Sequence, residues 1–170
     1  MRCAMMLLFL AASAVSAGEP APLSDLWLGD WKGTLLWSKA KGPDGEIPME
    51  LQIRPIKDSR DCTWRIIYGV GDKRQVRDYV LQPVAKKPGY FVIDEKNGVL
   101  LDCRLVGQTI YTQFEVAGSL LTTRYERRGD GLHVEITSST RNPAAEGAKT
   151  PVRTFTTQTV QAGELRRAKE

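Results

Sequence analysis

Three of the four tryptophans of this 170-residue chain, Trp27, Trp31 and Trp37, fall within one stretch, LWLGDWKGTLLW, with Gly29 and Gly33 between them. Side chains of that size either stack on an apolar ligand or close a core, and each buries a large apolar area. The fourth, Trp64, alternates with Cys62, Ile66 and Tyr68. In an extended chain that spacing sets all four on one face. Leu101, Thr112, Phe114 and Val134 occupy equivalent alternating positions further on. Together with Trp64, Ile66 and Tyr68 they form a candidate binding wall, mainly apolar, with Tyr68 and Thr112 as polar handles. Such a wall suits non-covalent capture of a small apolar molecule.

Covalent chemistry is poorly provided for. A hydrolase or transferase needs a nucleophile with a base in reach. The single histidine, His133, has the opposite parity to Leu132, Val134 and Ile136, which directs its ring outward if those three are core. The same parity argues against His133 as a ligand to heme iron inside. Asp94 and Glu95 are adjacent, so in a strand they face opposite sides and cannot form an acid/base pair. No metal or other cofactor is expected, because one histidine and scattered cysteines make no ligand set. An enzyme is not the expected reading.

The elements that must position the wall are strands. In PMELQIRPI, Met49, Leu51 and Ile53 alternate with Glu50, Gln52 and Arg54, the pattern of a half-buried strand. From Asn97 to Ile136 the turn glycines Gly98, Gly107, Gly118 and Gly129 recur at intervals of 9, 11 and 11 residues with β-rich runs between them. Asn97-Gly98 and Asp130-Gly131 are favoured tight-turn pairs. Segments near 30–38, 48–56, 61–70, 74–83, 88–95, 98–106, 108–117, 119–128, 131–139 and 152–163 read as about ten strands. Ser24 to Leu28 reads as one capped helical turn. Lys39 to Pro48 and Arg141 to Pro151 read as exposed loops. The expected fold is all-β, an antiparallel up-and-down barrel of about 8–10 strands with a short N-terminal helical turn.

Residues 1–17, MRCAMMLLFLAASAVSA, have a positive start at Arg2, an apolar run and small residues before Ala17. That is the pattern of a cleaved signal peptide, and the run is too short for a spanning helix, which needs roughly 20 apolar residues. The chain is therefore expected to be exported, periplasmic or secreted, with residues 18–170 as one domain. Stable membrane insertion is not expected, since charged residues such as Arg54, Arg65, Arg77 and Glu115 would lie on the outer face where a membrane barrel needs an apolar band. The formal charge of +4 is spread out, whereas nucleic-acid binding calls for a basic stripe. Arg124, Arg127 and Arg128, and near the end Arg166, Arg167 and Lys169, form two basic groups, expected to guard strand edges and maintain solubility. Oligomeric state is not legible.

Cys62 and Cys103 would enter an oxidising compartment. A single disulfide is the default expectation; two separate buried thiols are the alternative, since pairing requires Cβ atoms about 4 Å apart.

The segment Gly29-Asp30-Trp31, preceded by a short helical turn and followed by Gly33, resembles the first strand of the calycins, the lipocalin-like, fatty-acid-binding-protein-like and avidin-like barrels. The resemblance implies that Trp31 closes one end of the barrel and that an arginine near the last strand, Arg153 or Arg166, packs across its ring. Taken with the alternating aromatic and aliphatic lining, the expected reading is a barrel of this kind that holds a small, mainly apolar ligand. The alternative is a filled barrel acting as a structural or envelope-interaction module.

Overall fold

The computed structural model describes residues 23–143 and 152–168; the leader segment 1–17 and most of the expected loop before Pro151 lie outside these. The chain forms ten antiparallel strands closed into a barrel: β1 (Gly29–Lys39), β2 (Gly42–Ile53), β3 (Cys62–Tyr68), β4 (Gln75–Pro83), β5 (Tyr90–Asp94), β6 (Leu100–Val106), β7 (Thr109–Val116), β8 (Ser119–Arg128), β9 (Gly131–Arg141) and β10 (Phe155–Arg167). Each strand pairs with its sequence neighbours, and β1 pairs with β10 to complete the ring. The up-and-down order follows from the short turns, because each hairpin returns the chain beside the strand it left.

A 3₁₀ turn at Asp25–Trp27 leads into β1. The Ser24 hydroxyl caps it by accepting the Leu26 N–H at 3.3 Å, which satisfies one of the otherwise orphaned amides of the first turn. Gly29 follows with φ +130°, a conformation that strongly favours glycine.

Two expectations about connections are corrected. The segment from Lys39 to Pro48 is not a long loop: β1 and β2 meet in a tight turn at Ala40-Lys41, and Gly42–Pro48 already belong to β2. The hairpin between β8 and β9 turns on Gly129-Asp130, not Asp130-Gly131. Gly129 has φ +59°, while Gly131 begins the strand.

The register of β1 against β10 pairs Trp31 with Arg167 and Gly33 with Leu165. At this seam the backbones approach closely. A Cβ on Gly33 would run into the Glu164 carbonyl oxygen, and one on Gly163 into the Thr34 carbonyl oxygen. Glycine is present there because no side chain fits.

Strand alternation sends Trp31 and Leu35 of β1, Leu51 and Ile53 of β2, Ile110 of β7, Leu132 and Val134 of β9 and Leu165 of β10 inward, all with essentially no exposure. Surface charges pair along the outer wall, as Arg54 does with Asp30 at 2.7 Å. Exposed pairs of this kind contribute about 0–1 kcal/mol, so the fold rests on the inner face.

Candidate functional site: a barrel closed at one end and open at the other

The closed end is built around Trp31. Its indole N–H donates to the Trp27 carbonyl at 2.9 Å, tying the 3₁₀ turn across the barrel floor. Two guanidinium groups lie over its ring, Arg167 at 4.5 Å and Arg127 at 4.8 Å from the centroid. Arg167 also donates to the Leu28 and Leu26 carbonyls. The arginine partners expected from the sequence are therefore corrected. Arg166 pairs in register with Lys32, one step from Trp31, so alternation turns it outward to Asp130 at 2.8 Å. Arg153 precedes β10 and is exposed at the opposite end of the barrel.

Arg127 is likewise not a surface charge. It has inward parity on β8, and burial followed by the nearby Arg167 charge lowers its pKa. Arg124, in contrast, is held with Arg128 against Glu126 at 2.6 Å. His133 points outward, as its parity requires, and its Nδ1 meets the Glu164 carboxylate at 2.7 Å.

The other end holds a cavity of about 780 Å³. Of the residues expected to form the binding wall, Trp64, Ile66, Tyr68, Leu101, Thr112 and Phe114 all border it. Val134 does not: it is fully buried in the packed layer nearer Trp31. The cavity reaches the surface at a rim that includes Val70, Lys73, Arg77 and Val116, each exposed.

Sequence reasoning missed the polar side of this cavity. Arg77, Tyr79 and Glu95 border it, although Arg77 was expected on the outer face. The register explains the difference: Ile66 pairs with Arg77 and Trp64 with Tyr79, and paired residues share a face. The usable signal was that Arg77, Tyr79 and Leu81 alternate as one series ending in a core leucine. Glu95 accepts from the Asn97 amide at 3.2 Å, whereas Asp94 holds the Lys96 N–H at 2.7 Å. Both carboxylates thus engage the β5–β6 turn, and Glu95 also borders the cavity beside Tyr79.

Burial dominates the electrostatics inside. It raises the Tyr68 pKa to about 12 and the Tyr125 pKa well above the ordinary phenol value. Tyr79 is raised first by burial and then by Glu95, with Arg77 opposing. These phenols stay neutral at physiological pH and keep their protons available for donation.

Cys62 and Cys103 are free, buried thiols, which corrects the expected disulfide. Cys62 lies on β3 and Cys103 on β6, with β4 and β5 between them. At about 4.8 Å per strand step that separation far exceeds the roughly 7 Å between Cα atoms that a disulfide spans. Cys103 instead accepts from the Thr112 hydroxyl at 3.4 Å, and burial raises its pKa to about 11.

Among the described residues no group of three or more His, Cys, Asp or Glu side chains could hold a metal ion, and no helix is long and apolar enough to cross a membrane. Comparison of the chain with protein-family models, curated proteins and solved structures gave no match.

Proposed function

We propose that this chain is a calycin-like barrel that holds a small, mainly apolar ligand outside the cytoplasm. The observation that carries the reading is the cavity of about 780 Å³ bordered by Trp64, Ile66, Tyr68, Leu101 and Phe114. Ligand pockets fall at roughly 300–1,000 Å³ and are mostly apolar with a few placed polar groups. A barrel serving only as a structural module would gain stability by filling that space, because an apolar wall facing a void forfeits dispersion contacts.

Kinship with the calycins is supported by the closed meander and by the place of Gly29-Asp30-Trp31 after a short turn. The guanidinium of Arg167, from the last strand, over the Trp31 ring adds to it. Export rests on the leader pattern of residues 1–17.

The test is to examine freshly purified full-length protein, expressed with its leader, by native mass spectrometry and organic extraction, and to titrate it with an apolar fluorescent dye. Co-purifying mass or enhanced dye emission is expected, from material whose N-terminus begins at Gly18. Blank results in all three binding measurements would overturn the binding reading. A chain retaining Met1 would overturn export.

A further inference from the structure

The deep wall of the cavity carries hydrogen-bond donors that nothing in the protein uses. Tyr125 on β8 is 2% exposed and borders the cavity, yet its hydroxyl has no hydrogen-bond partner among the described residues. Its ring meets that of Trp64 edge to face, with centroids 5.0 Å apart. The Trp64 indole N–H is itself fully buried and without a partner. Tyr68, on the neighbouring part of the wall, lies close enough to Tyr125 for ionisation of either to disfavour the other, but the two hydroxyls do not bond to each other. A buried donor left unmade, as the Trp64 N–H is, costs about 1–3 kcal/mol, and the two tyrosines beside it border the cavity with hydroxyls that no protein group engages.

We propose that this wall recognises an oxygen acceptor on an otherwise apolar ligand, a ketone- or ester-type carbonyl received between the Tyr125 and Tyr68 hydroxyls. A carbonyl oxygen has two lone pairs and no proton, so it satisfies two donors at once. The surroundings favour a neutral acceptor over an anion, because Trp64, Ile66, Ile93 and Leu101 make the wall mainly apolar and the Arg77 charge that reaches Tyr68 is accompanied by the Glu95 carboxylate beside Tyr79. The Arg77 guanidinium lies nearer the rim. The Trp64 indole, packed edge to face against Tyr125, braces the ring that carries that hydroxyl.

This inference rests on the ligand-binding reading above, and the experiment separates their failures. Fluorene and 9-fluorenone have nearly the same shape and differ by one carbonyl oxygen; fluorene-9-carboxylate supplies the anion. Binding of each is followed by quenching of tryptophan fluorescence, and the carbonyl stretch of bound fluorenone is recorded by infrared difference spectroscopy. Fluorenone is expected to bind about tenfold more tightly than fluorene, the gain from an added hydrogen bond or two, with its carbonyl stretch shifted to lower frequency.

Tyr125→Phe keeps the ring and removes only the hydroxyl. It should abolish most of that preference, read as the ratio of fluorenone to fluorene affinity within the same variant, and Tyr68→Phe should reduce the ratio by a smaller factor. Equal binding of fluorene and fluorenone, an unshifted stretch, or tighter binding of the carboxylate would overturn the carbonyl inference and leave the binding reading standing. A preference that survives in both variants would overturn the assignment to these tyrosines. Failure of all three probes to bind would overturn the carbonyl inference together with the binding reading for ligands of this size.

Discussion

The two ends of the barrel use the same inward alternation to opposite effect. At the closed end, Trp31, Leu51, Leu132 and Leu165 are sealed from solvent; the Trp31 N–H and the Arg167 guanidinium are bonded to the chain around them, and Arg127 lies over the indole with its Nε and Nη1 unbonded. Arg167 both covers the ring and ties the 3₁₀ turn. At the open end, Trp64, Tyr68 and Tyr125 also have buried rings, but their polar atoms lack protein partners. Large aromatics with satisfied polar groups make a plug. Similar aromatics with unsatisfied ones make a wall awaiting something.

That contrast is open to attack, most severely at the plug. Trp31→Ala removes a fully buried indole, its bond to the Trp27 carbonyl and the platform for two guanidiniums. A loss of about 3–5 kcal/mol is expected, measured by urea denaturation, and it would leave two arginines facing an uncompensated hole. A loss below 1 kcal/mol would show that the closed end is not the stabilising one.

Alkali discriminates the ends next. Burial holds Tyr68 at about 12, against an ordinary value of 10. Below pH 10 both folded and unfolded chains keep the proton, and the stabilisation is fully present. As pH rises from 10 toward 12 the unfolded chain ionises first, so stability falls through that window, by an amount on the order of 2 kcal/mol for Tyr68 alone. Tyr125 and Tyr79 shift in the same direction and add to it. Ultraviolet titration of phenolate should therefore show a fraction of the five tyrosines ionising only together with loss of near-ultraviolet circular dichroism. Complete ionisation near pH 10 in the folded protein would contradict a dry open end.

The smallest stability effect is expected at the cavity wall. Phe114 is half-buried and already borders open space, so Phe114→Ala creates little new void and should cost about 1 kcal/mol, well under the usual penalty for a buried phenylalanine. Affinity for an apolar dye should change several-fold. Equal losses for Phe114→Ala and Trp31→Ala would erase the distinction between the ends.

How much of this was legible follows the same division. The ten strands were readable because apolar residues alternate through Leu51, Ile53, Trp64 and Ile66 and glycines mark the turns, both local signals. Six of the seven expected wall residues border the cavity for the same reason. What was lost depended on height along the barrel axis, which alternation does not encode. Val134 has the right facing but lies in the packed layer. Arg166 sits at the right distance along the chain but has the wrong parity, and Arg167 takes the place beside Trp31. Arg77 and Glu95 look like outer-face or turn charges until register places them at the mouth. The cysteines have inward parity too, but parity says nothing of the two strands that separate them around the ring.

The glycine seam between β1 and β10 also has a temporal meaning. Arg167 reaches back to the Leu26 carbonyl across 141 positions of sequence, and every other pairing in the barrel joins strands that are neighbours in the chain. Hairpins can form in turn as the chain lengthens, but the first strand keeps a bare edge until the last one arrives. Contacts of such long range are slow to form, and an unpaired edge is a place where another chain can dock. Gly33 and Gly163 remove side-chain bulk at the two points where the backbones lie closest, so the final stitch can draw tight there once the last strand arrives.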